Sequence, residues 1–379
     1  VSDLLERIQR RLIDEPRLAD ADPAELARVV REEAGVISDL DVLDVLRRLR
    51  DDVTGAGRLE RLLALDGVTD VLVNGPGEIW FDRGSGLEQA TLTFSSAGDV
   101  RRLATRLAAA CGRRLDDAQP FVDGRLSRPD GSVVRVHAVL GPPSRTDTLI
   151  SLRVLRQART RLPDLVAAGA LSAEVADLLR GMIAAHRSFL VVGGTGTGKT
   201  TMLSALLAEV APYERIVCIE DTAELDPSHP HVVGLTTRAA NAEGAGRITM
   251  SQLLVQALRM RPDRVVVGEI RGAEVVDLLT ALNTGHDGGA GTLHANSSAE
   301  IPARMEALAA LGGLDRATLH SQLSAAVHLA LVMKRGTDGR RRLHQIAQLE
   351  GNPVEATVLW ESGQAVSDRV RAAMTGERP

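Results

Sequence analysis

The sequence predicts a mostly parallel α/β sheet with helices on its faces, preceded by a smaller α+β domain and an N-terminal helical segment. Three observations lead there. Past residue 165, short apolar runs alternate with amphipathic stretches of helical length, the pattern of strands joined by crossover helices. Between residues 69 and 154 the apolar period is two, broken by Gly- and Asn-rich turns. The chain has 379 residues, of which 44% are hydrophobic and 25% charged, enough to bury the cores of two or three domains.

Taken in order, residues 1–52 read as helices. Asp22, Pro23 and Glu25 supply an N-cap, a proline at the first helical position and an acid in the first turn, ahead of the stripe Leu26, Val29 and Val30. Further helical stretches cover Val42–Leu49 and Leu59–Leu65. Residues 53–154 form the α+β domain, with strands in TDVLVN, EIWF, ATLTF, VVRVHAV and TLISLRV and an amphipathic helix over Asp99–Ala110. LRQARTRLPD, residues 155–164, reads as a linker. Residues 165–379 hold strands starting near Phe189, Arg215, His231, Arg264 and Gly289, then a further set in VHLALVM, LHQIAQLE and VEATVLW. From about Ser367 the chain is polar enough to read as a loosely packed tail.

Composition excludes several classes. With 45 Lys plus Arg against 50 Asp plus Glu the net charge is −5, which argues against a protein that coats a polyanion. The apolar content argues against intrinsic disorder. Cys111 and Cys218 have no partners at metal-ligand or redox spacing, which suits a reducing cytosol. No run approaches the ~18 apolar residues of a membrane span, and VSDLLERIQRRLIDE lacks a signal-peptide core, so membrane association is expected to be peripheral or through a partner. Lys199 and Lys334 are the only lysines, so 43 of the 45 cationic side chains are arginines. Each lysine position is therefore informative, since a compact ammonium and a planar guanidinium are not interchangeable.

The strongest chemical signal is Gly193-Gly194-Thr195-Gly196-Thr197-Gly198-Lys199-Thr200, followed by Thr201, placed between an apolar strand and a helix. Glycines allow loop N–H groups to turn inward around phosphate oxygens, and the helix adds its positive dipole end. Lys199 would reach the terminal phosphates and the Thr200 hydroxyl would ligate Mg²⁺. Glu269 ends the apolar run RVVVGE, where a strand delivers a carboxylate to the C-terminal edge of the sheet, with Gly268 standing where an acid is usual. Glu269 would meet Mg²⁺ directly or through water; a solvated edge acid or a pair with Arg271 is the alternative. Glu220 and Asp221, at the end of RIVCIE, would orient an attacking water or simply cap an acidic turn. His286 and His294 flank a glycine-rich turn without zinc-ligand company. His294 would sit beside the γ-phosphate, or be a histidine satisfied by backbone groups.

GGTGTGKTT, IEDTAEL, ALRMRPDRVVVGEIRGAE and TGHDGGAGTLHANS resemble, in that order, the Walker A, Asp box, Walker B and His box of the type II and type IV secretion ATPases. VTDVLVNGPGEIWFD resembles the N-terminal domain of the Tad subgroup, which drives Flp-type pili. The resemblance spans about Leu65–Leu349 and implies a RecA-like P-loop NTPase domain, ATP and Mg²⁺ as ligands, and a homo-hexameric ring. It also implies inner-membrane platform proteins as partners and a cytoplasmic location against that membrane. It carries over Gly193–Thr201 as the phosphate loop, Glu220 as the Asp-box acid, Glu269 as the Walker B glutamate and His294 as the sensor. Arg125, Arg135 and Arg153 match arginines that approach the γ-phosphate in relatives, although GSVVRV is two residues longer than the family's GSRV around Arg135. A cationic side chain there stabilises charge spread over the transferring phosphoryl group.

The expected function is therefore an ATP-driven motor for Tad/Flp-type pilus assembly or protein secretion, with a conjugation-type DNA-transfer ATPase or a pilus-retraction ATPase as alternatives. A RecA-like DNA motor is disfavoured by one tyrosine, two tryptophans, four phenylalanines and the negative charge balance, which argue against a nucleic-acid surface. A GTPase is disfavoured because Lys334 lies in MKRG, not in an N-K-x-D motif.

Overall fold

The computed structural model describes residues 55–376 apart from 85, 129–131, 156–158, 239 and 241–243, together with parts of the first 54. It divides into two compact units, Val1–Arg156 and Gln157–Pro379.

In the first unit a helix spans Pro23–Ala34, and the N-cap expected at Asp22 lies outside the described residues. Val30 from this helix packs with Ile8, Val42 and Val45 in a small apolar cluster. Part of the expected helix over Val42–Leu49 lies outside the described residues. A sheet of six strands follows: β1 (Asp70–Gly75), β2 (Glu78–Asp82), β3 (Leu87–Gln89), β4 (Phe121–Ser127), β5 (Val133–Val139) and β6 (Leu149–Leu155), in the order β3-β2-β1-β6-β5-β4. Neighbouring strands are antiparallel throughout. Alternate residues face the core, so Val134, Val136 and Ala138 are buried while Arg135 and His137 are exposed, as a period of two requires. The helix Ala97–Ala110 covers the buried face with Val100, Leu103, Ala104 and Leu107, and Ser96 caps it by accepting from the Asp99 N–H at 3.2 Å.

ATLTF does not form the expected strand; β3 ends at Gln89. Its alternation is real, since Ala90, Leu92 and Phe94 pack against the core. The backbone, however, meets its neighbours only at isolated points, Ala90 N to Ile79 O at 2.8 Å and Phe94 N to Pro76 O at 2.7 Å. Period predicts which side chains turn inward, but a strand also needs a continuous ladder.

The second unit contains β7 (Phe189–Val192), β8 (Ile216–Glu220), β9 (Val232–Thr236), β10 (Arg264–Ile270), β11 (Ala290–Leu293), β12 (Leu329–Arg335), β13 (Arg341–Glu350) and β14 (Glu355–Glu361). Their order is β14-β13-β12-β7-β11-β10-β8-β9, parallel from β9 to β12, with β13 and β14 added antiparallel. Both faces of the sheet are covered, so its central strands read as unbroken apolar runs. Phe189 and Val191 enter one core with the helices Ala173–Ala184 and Lys199–Leu207, while Leu190 and Val192 enter the other with Met250–Ala257, Glu274–Leu282 and Ile301–Leu311.

Two expectations need correction here. The linker reading covers a helix start: Leu162–Ala167 is helical, and the Asp164 carboxylate accepts from the Arg161 N–H at 2.8 Å. The polar C-terminal stretch is not a loose tail. Asp368–Thr375 is a helix capped by Ser367, and its Val370 and Met374 are 1% and 0% exposed. Two apolar residues four apart suffice to dock a short helix that mean polarity makes look unattached. Among the described residues no helix is long and apolar enough to cross a membrane.

Candidate functional site

The glycine-rich loop leaves the buried strand β7 and turns into the helix Lys199–Leu207. Gly198, at φ +93°, sets that helix's entry in a backbone region that favours glycine. At Gly193 a Cβ would come within 2.5 Å of the Met333 carbonyl oxygen and 2.6 Å of Thr197 Oγ1, so only glycine lets β12 and the loop approach so closely. Thr197 Oγ1 donates to Gly194 O at 2.9 Å. Lys199 is 9% exposed, and its Nζ donates to Gly193 O at 3.0 Å and Gly194 O at 2.9 Å. Burial lowers the pKa of this ammonium, while Glu269 and Glu224 act to raise it. The result is a cation held inside a curl of backbone at a helix N-terminus, an arrangement suited to a polyphosphate.

Glu269 stands at the end of β10, two strands from β7. Between Val267 and Ile270 the register against β11 gains a residue, and this bulge re-aims the Gly268-Glu269 segment. Thr292 Oγ1 donates to Gly268 O at 2.6 Å and pins the bulge to β11. One Glu269 oxygen, Oε2, accepts from Arg271 Nη2, so the pairing with Arg271 is real. The other, Oε1, lies 2.8 Å from His294 Nε2 without the alignment of a hydrogen bond, and this buried oxygen accepts none. Burial first, then the Lys199 charge, lowers the His294 pKa, so its imidazole is neutral at neutral pH. His286, by contrast, uses Nδ1 on the Ala281 carbonyl at 3.2 Å, the backbone-satisfied arrangement.

The acidic turn after β8 separates two glutamates by environment. Glu220 is 4% exposed, and its Oε1 accepts from the N–H groups of Glu224 at 3.1 Å and Leu225 at 3.0 Å. Its side chain also explains Gly268: a Cβ there would meet Glu220 Cγ at 2.6 Å. Glu220 thus braces the turn from below. Glu224, which sequence reasoning passed over within IEDTAEL, is the acid aimed at the loop, with Oε2 3.5 Å from Thr200 Oγ1. The available signal was spacing, because Glu224 lies beyond the strand end and Glu220 within it. Asp221 is engaged by Thr237 Oγ1 at 3.1 Å.

Lys199, Thr200, Glu224, Glu269 and His294 are therefore gathered at the C-terminal edge of one sheet, where open α/β folds bind ligands. Among the described residues no group of three His, Cys, Asp or Glu side chains could hold a metal ion by itself. The oxygen donors beside the loop suit a hard cation that takes most of its ligands from phosphate and water.

A family profile described as "Type II/IV secretion system protein" matches residues 52–368. The chain belongs to that family. Among its secretion-family relatives is a putative conjugal transfer protein of Mycobacterium tuberculosis, 57% identical over 342 residues, which cover 89% of this chain and 97% of the relative. The conjugal transfer protein TrbB of Rhizobium radiobacter is 30% identical over 313 residues, covering 81% and 91% respectively. The type IV secretion system protein PtlH of Bordetella pertussis is 31% identical over 322 residues, covering 77% and 93%. The fold is shared with the Legionella pneumophila ATPase DotB, at TM-score 0.54, 19% identity and coverage of 80% and 78%. It is shared equally with the pilus retraction motor PilT, at TM-score 0.54, 19% identity and coverage of 84% and 85%. The second unit of this secretion-family chain accordingly has the RecA-like architecture that the motifs imply.

The three arginines of the first unit form a group of their own. Arg125 on β4 stands directly opposite Arg135 on β5, which stands opposite Arg153 on β6, one row across three strands on the exposed face. Asp123 takes Arg135 in a two-pronged pair at 3.0 and 2.6 Å, and Asp70 accepts from Arg153 at 2.9 Å. The two extra residues of GSVVRV do not disturb this register, since the β4–β5 pairs run unbroken from Phe121↔Val139 to Ser127↔Val133.

Proposed function

We propose that the chain is an ATP-hydrolysing motor subunit of a type II/IV-type secretion machine. The observation that carries this reading is the convergence of a buried lysine, two carboxylates and a histidine on one glycine-rich loop. In this reading the amides of Gly193–Thr201 and the Lys199 ammonium grip the triphosphate, leaving little covalent work for the protein beyond positioning and charge. The residues fit Mg²⁺: the Thr200 hydroxyl and Glu269, directly or through water, would hold it, and it would offset the phosphate charge. Glu269, with one buried oxygen accepting no bond, orients the attacking water, and Glu224 fixes the Thr200 hydroxyl from the other side. Glu220 holds the turn that presents Glu224. His294, neutral and beside Glu269, senses the terminal phosphate. Arg125, Arg135 and Arg153 enter the proposal only through the family resemblance, as cations for the charge that spreads in phosphoryl transfer.

Replacing Glu269 by glutamine keeps shape and removes the charge. The expected result is about a 100-fold fall in the rate of phosphate release with ATP binding retained, a loss typical of a single group acting in the transition state. Turnover within twofold of the unaltered protein would remove Glu269 from the reaction.

A homo-hexameric ring, working at the cytoplasmic face of the membrane through platform proteins, completes the proposal and is motivated by family membership. Sedimentation velocity with ATP should show a six-chain species; monomers alone at micromolar concentration would reject the ring. As to cargo, Tad/Flp-type pilus assembly and conjugation-type transfer stand on the same site, and the names of the relatives favour the conjugal reading.

A further inference from the structure

We propose that Arg341 is a further nucleotide-binding residue, reaching across from the β12–β13 hairpin to the phosphates on the Gly198 side of the loop. The inference rests on the nucleotide reading above and extends it to a residue outside the four motifs.

The geometry begins with the hairpin's register. Met333 stands opposite Leu343, and Arg335 opposite Arg341, so all four share one face of the two strands. Met333 and Leu343 lie in the core that packs against Met202 and Leu203 of the helix opened by Lys199. Arg341 is the next residue on that face, two positions from Leu343 towards the hairpin tip, and it arrives at that helix's first turn. A Cβ at Gly198 would lie 3.3 Å from Arg341 Cδ and 3.7 Å from its Cβ. The side chain thus occupies the open side of the glycine that precedes Lys199.

The chemistry follows from what the neighbouring cations do. Arg335 Nε donates to Gly339 O at 3.1 Å, and Arg342 pairs with Asp338 at 3.0 and 2.5 Å, so both are used within the hairpin. That pairing holds the Asp338 carboxyl at a pKa of about 2, with the Arg342 hydrogen bond its largest cause. Arg341 is exposed, and among the described residues no hydrogen bond or ion pair takes its guanidinium. A cation with all its donors available, fixed by its stem against an anion-binding loop, is placed for phosphate oxygens, which a guanidinium can take two at a time.

The test is ADP and inorganic tripolyphosphate binding to the full chain by titration calorimetry. Arg341→Ala should weaken both ligands about tenfold, the size of one charge-assisted contact. Arg341→Lys should recover part of the loss, because a charge remains without the fork. Arg340→Ala, on the same hairpin, should stay within twofold. Unchanged ADP affinity in Arg341→Ala would overturn the inference, as would an equal loss in Arg340→Ala, which would make the effect one of overall charge. Loss of ADP with tripolyphosphate retained would also overturn it, placing the arginine on the base. Failure of the unaltered protein to bind ADP or ATP would instead sink the nucleotide reading itself, and this inference with it.

Discussion

Lys199→Ala should reduce phosphate release by at least about 1,000-fold, equivalent to ~4 kcal/mol of transition-state stabilisation. The size of the effect follows from where the ammonium sits. It is buried, it is held by two carbonyls of its own loop, and it is one of only two lysines in a chain that otherwise uses arginine for positive charge. A guanidinium is too broad for that curl, so Lys199→Arg should be nearly as inactive as the alanine variant. The carbonyl contacts belong to a loop whose turns are set by glycine, so the fold should survive, and an unchanged melting profile would show that it has. Turnover in Lys199→Ala comparable to the unaltered protein would reject the whole site.

The largest expected effect on stability lies at the opposite edge of the sheet. Arg264 opens β10 and is 1% exposed. Its Nε donates to Glu214 Oε2 at 2.7 Å, and its terminal nitrogens reach Glu214 Oε1 at 3.4 Å, Ile183 O at 2.9 Å and Gly288 O at 3.3 Å. The neighbouring chain is shaped around it: a Cβ on Gly288 would come within 2.5 Å of Nη1. Arg264→Leu removes every one of these bonds and leaves a buried carboxylate without its cation, at a cost of about 3–5 kcal/mol. The pair itself need not be worth that much, because both ions lost water on burial. Arg264→Leu combined with Glu214→Leu should therefore be more stable than Arg264→Leu alone. Urea unfolding followed by a probe in the second unit checks this; a cost under about 1 kcal/mol for the single change would show that the carboxylate finds water or another donor.

The strands of the second unit were legible because burial on both faces writes them as unbroken apolar runs between glycines, as in FLVV and RVVVG. The positions of Lys199, Thr200 and Glu269 at strand ends were legible because each is tied to such a strand by chain proximity. What the residues could not show was mostly a matter of distance along the chain. Nothing in IEDTAEL says that Glu220 turns under Gly268 while Glu224 faces the loop; that depends on β10 lying beside β8. The row Arg125, Arg135 and Arg153 requires two hairpin registers to be known. Arg341 meets Gly198 only because β12 pairs with β7. The short helix Asp368–Thr375 was missed for a different reason: its two buried residues carry too little apolar weight to stand out from a polar stretch.

The strand that launches the glycine-rich loop is flanked by β11 on one side and β12 on the other, with further strands beyond each. It is rooted in the middle of a slab, not hung from a rim. A loop rooted there has no slack to absorb a push locally, since shifting β7 by itself would break two ladders at once. If the proposed hydrolysis takes place at this loop, a push there would be passed on through the slab rather than absorbed beside it.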